Sequence, residues 1–352
     1  MSGSKLSDQI WNEVYSLSVS QGVLAIVFDG ILRLPQSHYP PTELMLTWSV
    51  NVKLLEKRYN MNRLATEQLN NFFAERDVEM LLLKGLSLSE YYPTPAHREY
   101  GDIDIYLFGK EQTIDRSIQQ LADASGRSVK HGVKHSSFYF RKIPVENHVS
   151  FLNINRFTTF FDKRRIVTEA KIETELLNLL RSQEKEWMVS GDNCKIRVPS
   201  ATFNYIFLTC HTAMHLPRGI VLRHLCDWAC FLYHNRDRYD QKRISEALEY
   251  SNFNCISSIL TDMVIQYLGL PSQYAPKSYM RYKEGKLQQR VMLNILRPFP
   301  HLKSNNLFGR RWWSIERFFK EHWKYKMVYG DTLFGRAFRA FHMSLTKAIK
   351  IK

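Results

Sequence analysis

The spacing of apolar residues changes character at Glu79 and again after about residue 165. Before Val78, Leu44, Trp48, Val52 and Leu55 recur at helical intervals, and Leu54, Tyr59 and Leu64 carry apolar character toward Phe72 and Phe73. Two or three helices are predicted there, punctuated by Pro40-Pro41. At Glu79 the period shortens. M-L-L-L-K is a short apolar run that stops at Gly85, L-S-L-S-E-Y-Y follows as a candidate short helix, and Pro93 and Pro95 end it. D-I-D-I-Y-L-F alternates polar and apolar residues, which is strand period, and Gly109 closes it. Ile114, Ile118 and Leu121 mark an amphipathic helix ending near Gly126. Two more alternating runs, S-S-F-Y-F-R and I-P-V-E-N-H-V, predict a hairpin turning at Lys142, with Pro144 arguing for a sheet edge. From about Thr168 helical spacing returns, through Phe203, Phe207 and Met214, then Leu222, Leu225 and Ala229, and less cleanly Ile244, Leu248 and Tyr250. These patterns predict an α+β fold. A helical N-terminal segment spans 1–78, a small mixed-sheet core 79–165, and a mainly helical C-terminal lobe 166–352 with a basic, aromatic end.

Composition adds modest constraints. At 352 residues the chain is long for one hydrophobic core, and 44% hydrophobic with 24% charged residues fits an ordinary folded protein. The net charge of +15 favours an anionic partner. No apolar run of signal-peptide type opens the sequence, and no stretch is long and apolar enough to span a bilayer. Five cysteines, an odd number without a C-x-x-C pair, point to a reduced cytoplasmic protein.

The chemistry concentrates in the predicted core. Asp102 and Asp104 are two apart on a predicted strand, so their side chains leave one face about 6–7 Å apart at the backbone. Isolated carboxylates at that spacing repel, and a hard divalent cation removes the conflict. Glu146, on a later predicted strand, completes a three-carboxylate cluster if the two strands are neighbours. Such a cluster can hold two metals roughly 4 Å apart. Gly85 opens the turn before the short helix, where backbone N–H groups of Leu86, Ser87 and Leu88 and the Ser87 hydroxyl would favour an anion. Lys84 and Arg98 bracket it with positive charge. Singly, each feature has an ordinary explanation as a surface acid or a turn residue. The order strand, Gly-x-Ser, helix, Asp-x-Asp strand, acidic strand is harder to obtain by accident.

The segments L-L-L-K-G-L-S-L-S-E-Y-Y, R-E-Y-G-D-I-D-I-Y-L, K-H-S-S-F-Y-F-R-K-I-P-V-E-N-H and H-T-A-M-H-L…L-R-H-L-C-D-W resemble a bacterial family of uncharacterised nucleotidyltransferases, within the superfamily that includes DNA polymerase beta. The likeness runs over roughly residues 60–235. It implies a nucleotidyltransferase core in which Gly85 and Ser87 lie in the phosphate-binding turn, Asp102 and Asp104 bind metal, and Glu146 is the third acid, which helps activate the attacking hydroxyl. Mg²⁺ or Mn²⁺ would be the cofactor, a nucleoside triphosphate the substrate, and an unknown hydroxyl compound the acceptor. Lys84, Gly85, Ser87, Arg98 and His148 are then the nucleotide-binding candidates. Leu86 departs from the small residue usual after the glycine, and the gap from Gly85 to Asp102 is long.

The remaining features are less directed. His148 shares the face of Glu146 and either orients it, contacts phosphate or simply packs; His131 and His135 flank the incoming loop and read as ordinary histidines. His211 and His215 share one helix face, and His224 and Asp227 lie three apart on the next helix. The four could hold zinc, but a buried network with Arg223 paired to Asp227 fits better, since the protease motif lacks its glutamate. Residues 308–326 interleave Arg310, Arg311, Trp312, Trp313, Arg317, Lys320, Trp323, Lys324 and Lys326. Helix packing explains them best, with an anionic membrane surface, inner-leaflet and peripheral, or RNA as alternatives. The competing functions are a catalytically silent nucleotide- or partner-binding protein and a toxin-like enzyme modifying tRNA or protein.

Overall fold

The structure is a computed structural model that describes residues 6–132, 134–152, 163–182, 185–190, 194–277, 279, 285–300, 302 and 306–338. In chain order the helices and strands are α1 (Asp8–Ser20), α2 (Leu24–Ile31), α3 (Thr42–Ala74), β1 (Glu79–Leu82), α4 (Leu86–Ser89), β2 (Ile103–Phe108), α5 (Glu111–Ser125), β3 (Lys130–His131), β4 (His135–Phe140), β5 (Ile143–His148) and α6 (Lys163–Arg181). There follow β6 (Glu186–Ser190), β7 (Cys194–Val198), α7 (Ala201–His215), α8 (Leu222–Asn235), α9 (Gln241–Leu248), α10 (Phe253–Leu268), α11 (Lys286–Leu296), α12 (Leu307–Lys320) and α13 (His322–Tyr329). The result is a mixed α/β core flanked by helical N- and C-terminal regions. No helix among the described residues is long and apolar enough to cross a membrane.

Contacts divide the chain into two interleaved units. The first takes residues 1–150, 182–200 and 221–234, and the second takes 151–181, 201–220 and 235–352. The first unit holds the whole sheet, in the order β3-β4-β5-β2-β1-β7-β6. β2 is central. It runs antiparallel to β1 with Leu82 opposite Ile105, and parallel to β5 with Asp104 opposite Glu146. Strand alternation then sorts the two faces. Ile103, Ile105 and Leu107 of β2 join Met80, Leu82, Phe138 and Val145 in one core, against Ala65, Leu69 and Phe73 of α3 and Ile118 and Leu121 of α5. Asp104, between Ile103 and Ile105, is thereby turned to the opposite face, and Asp102 precedes it by one strand period.

α3 is 33 residues long, a span of about 50 Å at 1.5 Å per residue. Its C-terminal half packs on the sheet, while Trp48 and Val52 of its N-terminal half close a second core with Trp11, Leu24 and Phe28. The Trp48 indole N–H donates to the Leu24 carbonyl at 2.9 Å, so burying this ring strands no donor.

Two features depart from the pattern-based expectation. β6 and β7 form a hairpin inside a stretch expected to be helical, and β7 pairs in parallel with β1. Pro144 is not on an edge strand, because β5 lies between β4 and β2. The β4–β5 turn is a two-residue loop with positive φ at Arg141 (48°) and Lys142 (68°), which makes Phe140 and Ile143 the hydrogen-bonded pair next to it. Pro144, the next residue, points its missing N–H away from β4, and the β5–β2 ladder starts only at Val145. No ladder bond is lost.

In the second unit α7 is buried over most of its length, and Phe151 packs edge-on against Phe203 and Phe207. The Glu173 carboxylate of α6 accepts from the backbone N–H groups of Phe151 and Leu152.

Candidate active site

β1 ends where the chain must turn sharply. The Leu83 N–H donates to the Asp104 carbonyl at 2.9 Å, tying the end of β1 to β2. Gly85 follows at φ 76°, a left-handed conformation that explains glycine there, because an added Cβ would meet nothing closer than 3.5 Å. The turn is pinned from behind. Arg98 donates through Nη1 to the Gly85 carbonyl at 3.1 Å, and through Nε and Nη2 to both oxygens of Asp227, at 2.7 and 2.9 Å. The Tyr92 hydroxyl donates to Asp227 Oδ1 at 2.6 Å. All three side chains are buried. Burial pushes Asp227 up, but the Arg98 guanidinium beside it outweighs this and holds the carboxyl below the usual range. Ser87 is buried and its hydroxyl donates to the Leu83 carbonyl at 3.0 Å, fastening the turn to itself.

The polar face of the sheet collects the acids. One carboxylate oxygen from each of Asp102, Asp104 and Glu146 lies within 4.8 Å of the others. The cause is register: Asp104 and Glu146 are Cα partners in the β2–β5 ladder, and Asp102 precedes Asp104 by one strand period. Asp104 is almost fully buried, with Lys84 Nζ 3.2 Å and His148 Nε2 2.9 Å from its Oδ1. Burial raises its carboxyl, yet Lys84 and the hydrogen bond from His148 more than offset this and leave it below the ordinary value. Asp102 goes the other way. Burial, then the charge of Asp104, push it up. Glu146 is raised by the same two causes in the same order. On β4, His135 Nε2 lies 3.5 Å from Glu146 Oε1.

A cluster of three converging carboxylates, two of them already pushed toward the protonated form, fits a hard divalent cation, whose charge would remove the repulsion. Neighbouring strands thus bring together Asp102, Asp104, Glu146, Lys84 and His148, with Gly85 at the adjacent turn. Arg98 stands behind that turn. His131 sits exposed on β3. Among the described residues, the His/Cys/Asp/Glu groups close enough to hold a metal are Asp102–Asp104–Glu146 and His135–Glu146–His148.

A match to a protein-family model is consistent with this geometry. The family described as "Uncharacterised nucleotidyltransferase" matches residues 7–269. The chain belongs to this nucleotidyltransferase family. A solved structure titled an antigenic nucleotidyltransferase-like protein from Paracoccidioides brasiliensis matches at 10% identity and a TM-score of 0.35, covering 62% of this chain and 94% of that one. No curated protein matches the chain.

The second histidine group divides between the two units. His224 and Asp227 lie on α8 in the first, and His211 and His215, with ring centroids 4.4 Å apart, on α7 in the second. Asp227 takes Arg98 as its bidentate partner, not Arg223, whose Nη1 donates to the Glu99 carbonyl at 2.8 Å. His224 is neutral, lowered to about 4 chiefly by burial, and its Nδ1 accepts the Val221 N–H. The sequence motifs missed the Tyr92–Asp227–Arg98 knot because its members are 129 and 135 residues apart and carry no local signature. Along the basic tail, Trp313 donates to the Pro300 carbonyl and Arg290 covers Trp323, while Phe308, Trp312, Ile315 and Phe319 form an exposed stripe on α12.

Proposed function

We propose that this protein moves a nucleoside monophosphate from a nucleoside triphosphate to a hydroxyl acceptor, releasing pyrophosphate. The observation that carries this reading is the convergence of Asp102, Asp104 and Glu146 on one sheet face beside Lys84 and the Gly85 turn. Asp102, Asp104 and Glu146 would hold Mg²⁺ or Mn²⁺, which supplies the positive charge that neutralises phosphate oxygens and activates the attacking oxygen.

The chain's own groups have separate tasks. The acceptor oxygen attacks the α-phosphorus in line, and the bond from that phosphorus to the bridging oxygen breaks as pyrophosphate leaves. Glu146 takes the acceptor proton, from its place opposite Asp104 in the β2–β5 ladder. Lys84 meets charge on the phosphates and returns to Asp104 when the site empties. Backbone amides after Gly85 face the leaving group. Arg98 acts at one remove, by holding the Gly85 carbonyl and so the turn. His148 keeps Asp104 ionised and oriented.

The second reading is a silent member of the family that binds a nucleotide or partner. Leu86 and the Ser87 hydroxyl, which donates to the chain and not outward, favour it. The exposed stripe of α12 beside Arg310, Arg311 and Lys320 would suit an anionic acceptor or membrane surface.

Incubation with each α-labelled nucleoside triphosphate, Mg²⁺ or Mn²⁺ and a cell extract tests these readings. Label transferred by the wild type and lost in Asp104→Ala supports transfer and reveals the acceptor. Metal-dependent nucleotide binding without transfer supports the silent member. Neither transfer nor metal-dependent binding with any nucleotide overturns both.

A further inference from the structure

The polar face of the sheet carries a second constellation that overlaps the acid cluster at one residue. His135 and His148 are Cα partners across β4 and β5, with ring centroids 5.5 Å apart. Glu146 shares their face, one strand period before His148. Its Oε1 lies 3.5 Å from His135 Nε2 and its Oε2 lies 4.0 Å from His148 Nε2. One ligand atom from each of the three falls within 4.8 Å of the others. A tetrahedral ion with bonds of about 2.0–2.1 Å sets its ligand atoms about 3.3 Å apart. Small side-chain rotations on fixed strands therefore suffice to close the set.

The donor chemistry separates this group from its neighbour. Asp102, Asp104 and Glu146 offer oxygen alone, which suits Mg²⁺. Two imidazoles and one carboxylate suit a borderline transition ion, because imidazole nitrogen binds Zn²⁺ and its neighbours in the series far better than it binds Mg²⁺. Two His and one Glu also leave the fourth position of a tetrahedral ion open to water or substrate. His135 Nδ1 is buried with no hydrogen-bond partner among the described residues, so that nitrogen can carry the ring proton while Nε2 ligates.

We propose that His135, Glu146 and His148 bind a nitrogen-accepting divalent transition ion, of which Zn²⁺ is the representative, at a position beside the Asp102–Asp104 pair. Loading exchanges one bond for another at His148. Its Nε2 gives up the hydrogen bond to Asp104, the ring proton passes to Nδ1, and Nε2 takes the ion. Glu146 is common to both groups, so the transition ion and a cation on the aspartates compete for it or share it. The inference goes beyond the transfer reaction and stands without it, since it needs only these three side chains.

Metal-free full-length protein, titrated with Co²⁺ in the presence of excess Mg²⁺ and followed by visible absorption, tests the proposal. The expected result is one Co²⁺ per chain with the intense bands of four- or five-coordination, displaced by one equivalent of Zn²⁺. Calorimetry with Zn²⁺ should then show at least about a tenfold weaker site in both His135→Ala and His135→Gln, and less than about threefold change in Asp102→Asn. Absence of the Co²⁺ bands overturns the proposal. So does Zn²⁺ affinity that is unchanged in both His135 variants, or that falls with Asp102 as it does with His135. Co²⁺ bands in a protein that transfers no nucleotide would remove the transferase reading and leave this site standing. Transfer without the bands would do the reverse.

Discussion

Asp104 and Asp227 are both buried aspartates of the same unit, and both are held below the usual carboxylate range against the upward push of burial. Their surroundings differ in balance. Asp227 meets one guanidinium bidentately and one tyrosine hydroxyl, so its charge is matched and its oxygens are occupied. Asp104 has Lys84 and His148, but Asp102 and Glu146 stand beside it: three carboxylates against one ammonium. A matched buried pair is a structural fixture, costly to break and inert once made. An unmatched acid cluster carries repulsion that the fold alone does not relieve, and that excess is what a cation can use. The two regions meet at Gly85, whose carbonyl is held by the matched pair and whose other side faces the Asp102 backbone.

The largest expected effect tests the unmatched side. On the proposed reaction, Asp104→Ala should lower transfer by about 10²–10³-fold or more, because it removes the carboxylate that Lys84 and His148 contact and that the cation would bind. Single-turnover assays with labelled nucleotide measure it. Retention of more than a tenth of the activity would remove Asp104 from the centre.

The matched side should respond in stability instead. Arg98→Met leaves Asp227 buried and unpaired, a loss of about 3–5 kcal/mol in unfolding free energy by denaturant titration. Replacing both partners, as Arg98→Met with Asp227→Leu, should recover most of that loss, since apolar substitutes of similar volume commonly offset a buried ion pair. The Gly85 carbonyl stays unpinned in the double variant, so transfer should remain about tenfold or more below wild type. Recovery of both stability and activity would show that Arg98 does not position the turn.

The two sides were also unequally legible in the sequence. The acid cluster rests on period-two alternation within D-I-D-I-Y-L-F and V-E-N-H, which marks both strands and the face each acid takes. The added step, that β5 lies beside β2, follows from which strands share a core, with Ile103 next to Val145. The Arg98–Asp227 knot has no such local trace: its partner was expected to be Arg223, four residues before Asp227, and the true partner lies 129 residues away. Proximity in sequence favours the nearby arginine, but Arg223 is drawn to the Glu99 carbonyl. The β6–β7 hairpin was readable in principle. Trp187, Met188, Val189 and Ser190 alternate between exposed and buried, yet the run is short and sits between long helices. Pro144 misled for a different reason. Its missing N–H matters only where a ladder bond would form, and the turn two residues earlier decides that.

A smaller effect sharpens the contrast in sign. In metal-free protein Asp102→Asn should raise unfolding free energy at neutral pH by about 1 kcal/mol, because it removes one of three crowded charges, whereas Asp227→Asn should lower it. Mg²⁺ should raise the unfolding temperature of the wild type and leave that of Asp102→Asn nearly unmoved.

The pH dependence of those two differences is the finest test, and its sign follows from the direction of each shift. Burial and Asp104 raise the Asp102 carboxyl in the folded protein, so its ionised form costs stability. That cost is fully present above the folded pKa and fades as pH falls through it toward the ordinary carboxylate value of about 4, below which Asp102 is protonated in both states. The advantage of Asp102→Asn over the wild type should therefore shrink between neutral pH and about pH 4. Asp227 is depressed, with burial opposing and Arg98 prevailing, so its contribution is present above about pH 4 and is lost only as pH falls through the lower folded value. The deficit of Asp227→Asn should accordingly hold constant across the window in which the Asp102→Asn advantage disappears. Denaturant titrations of the wild type and both variants in chelator, at steps from pH 7 to 4, read the two differences directly. Parallel curves would mean that the three carboxylates do not repel in the folded chain, and the contrast between a matched and an unmatched aspartate would fail at its physical root.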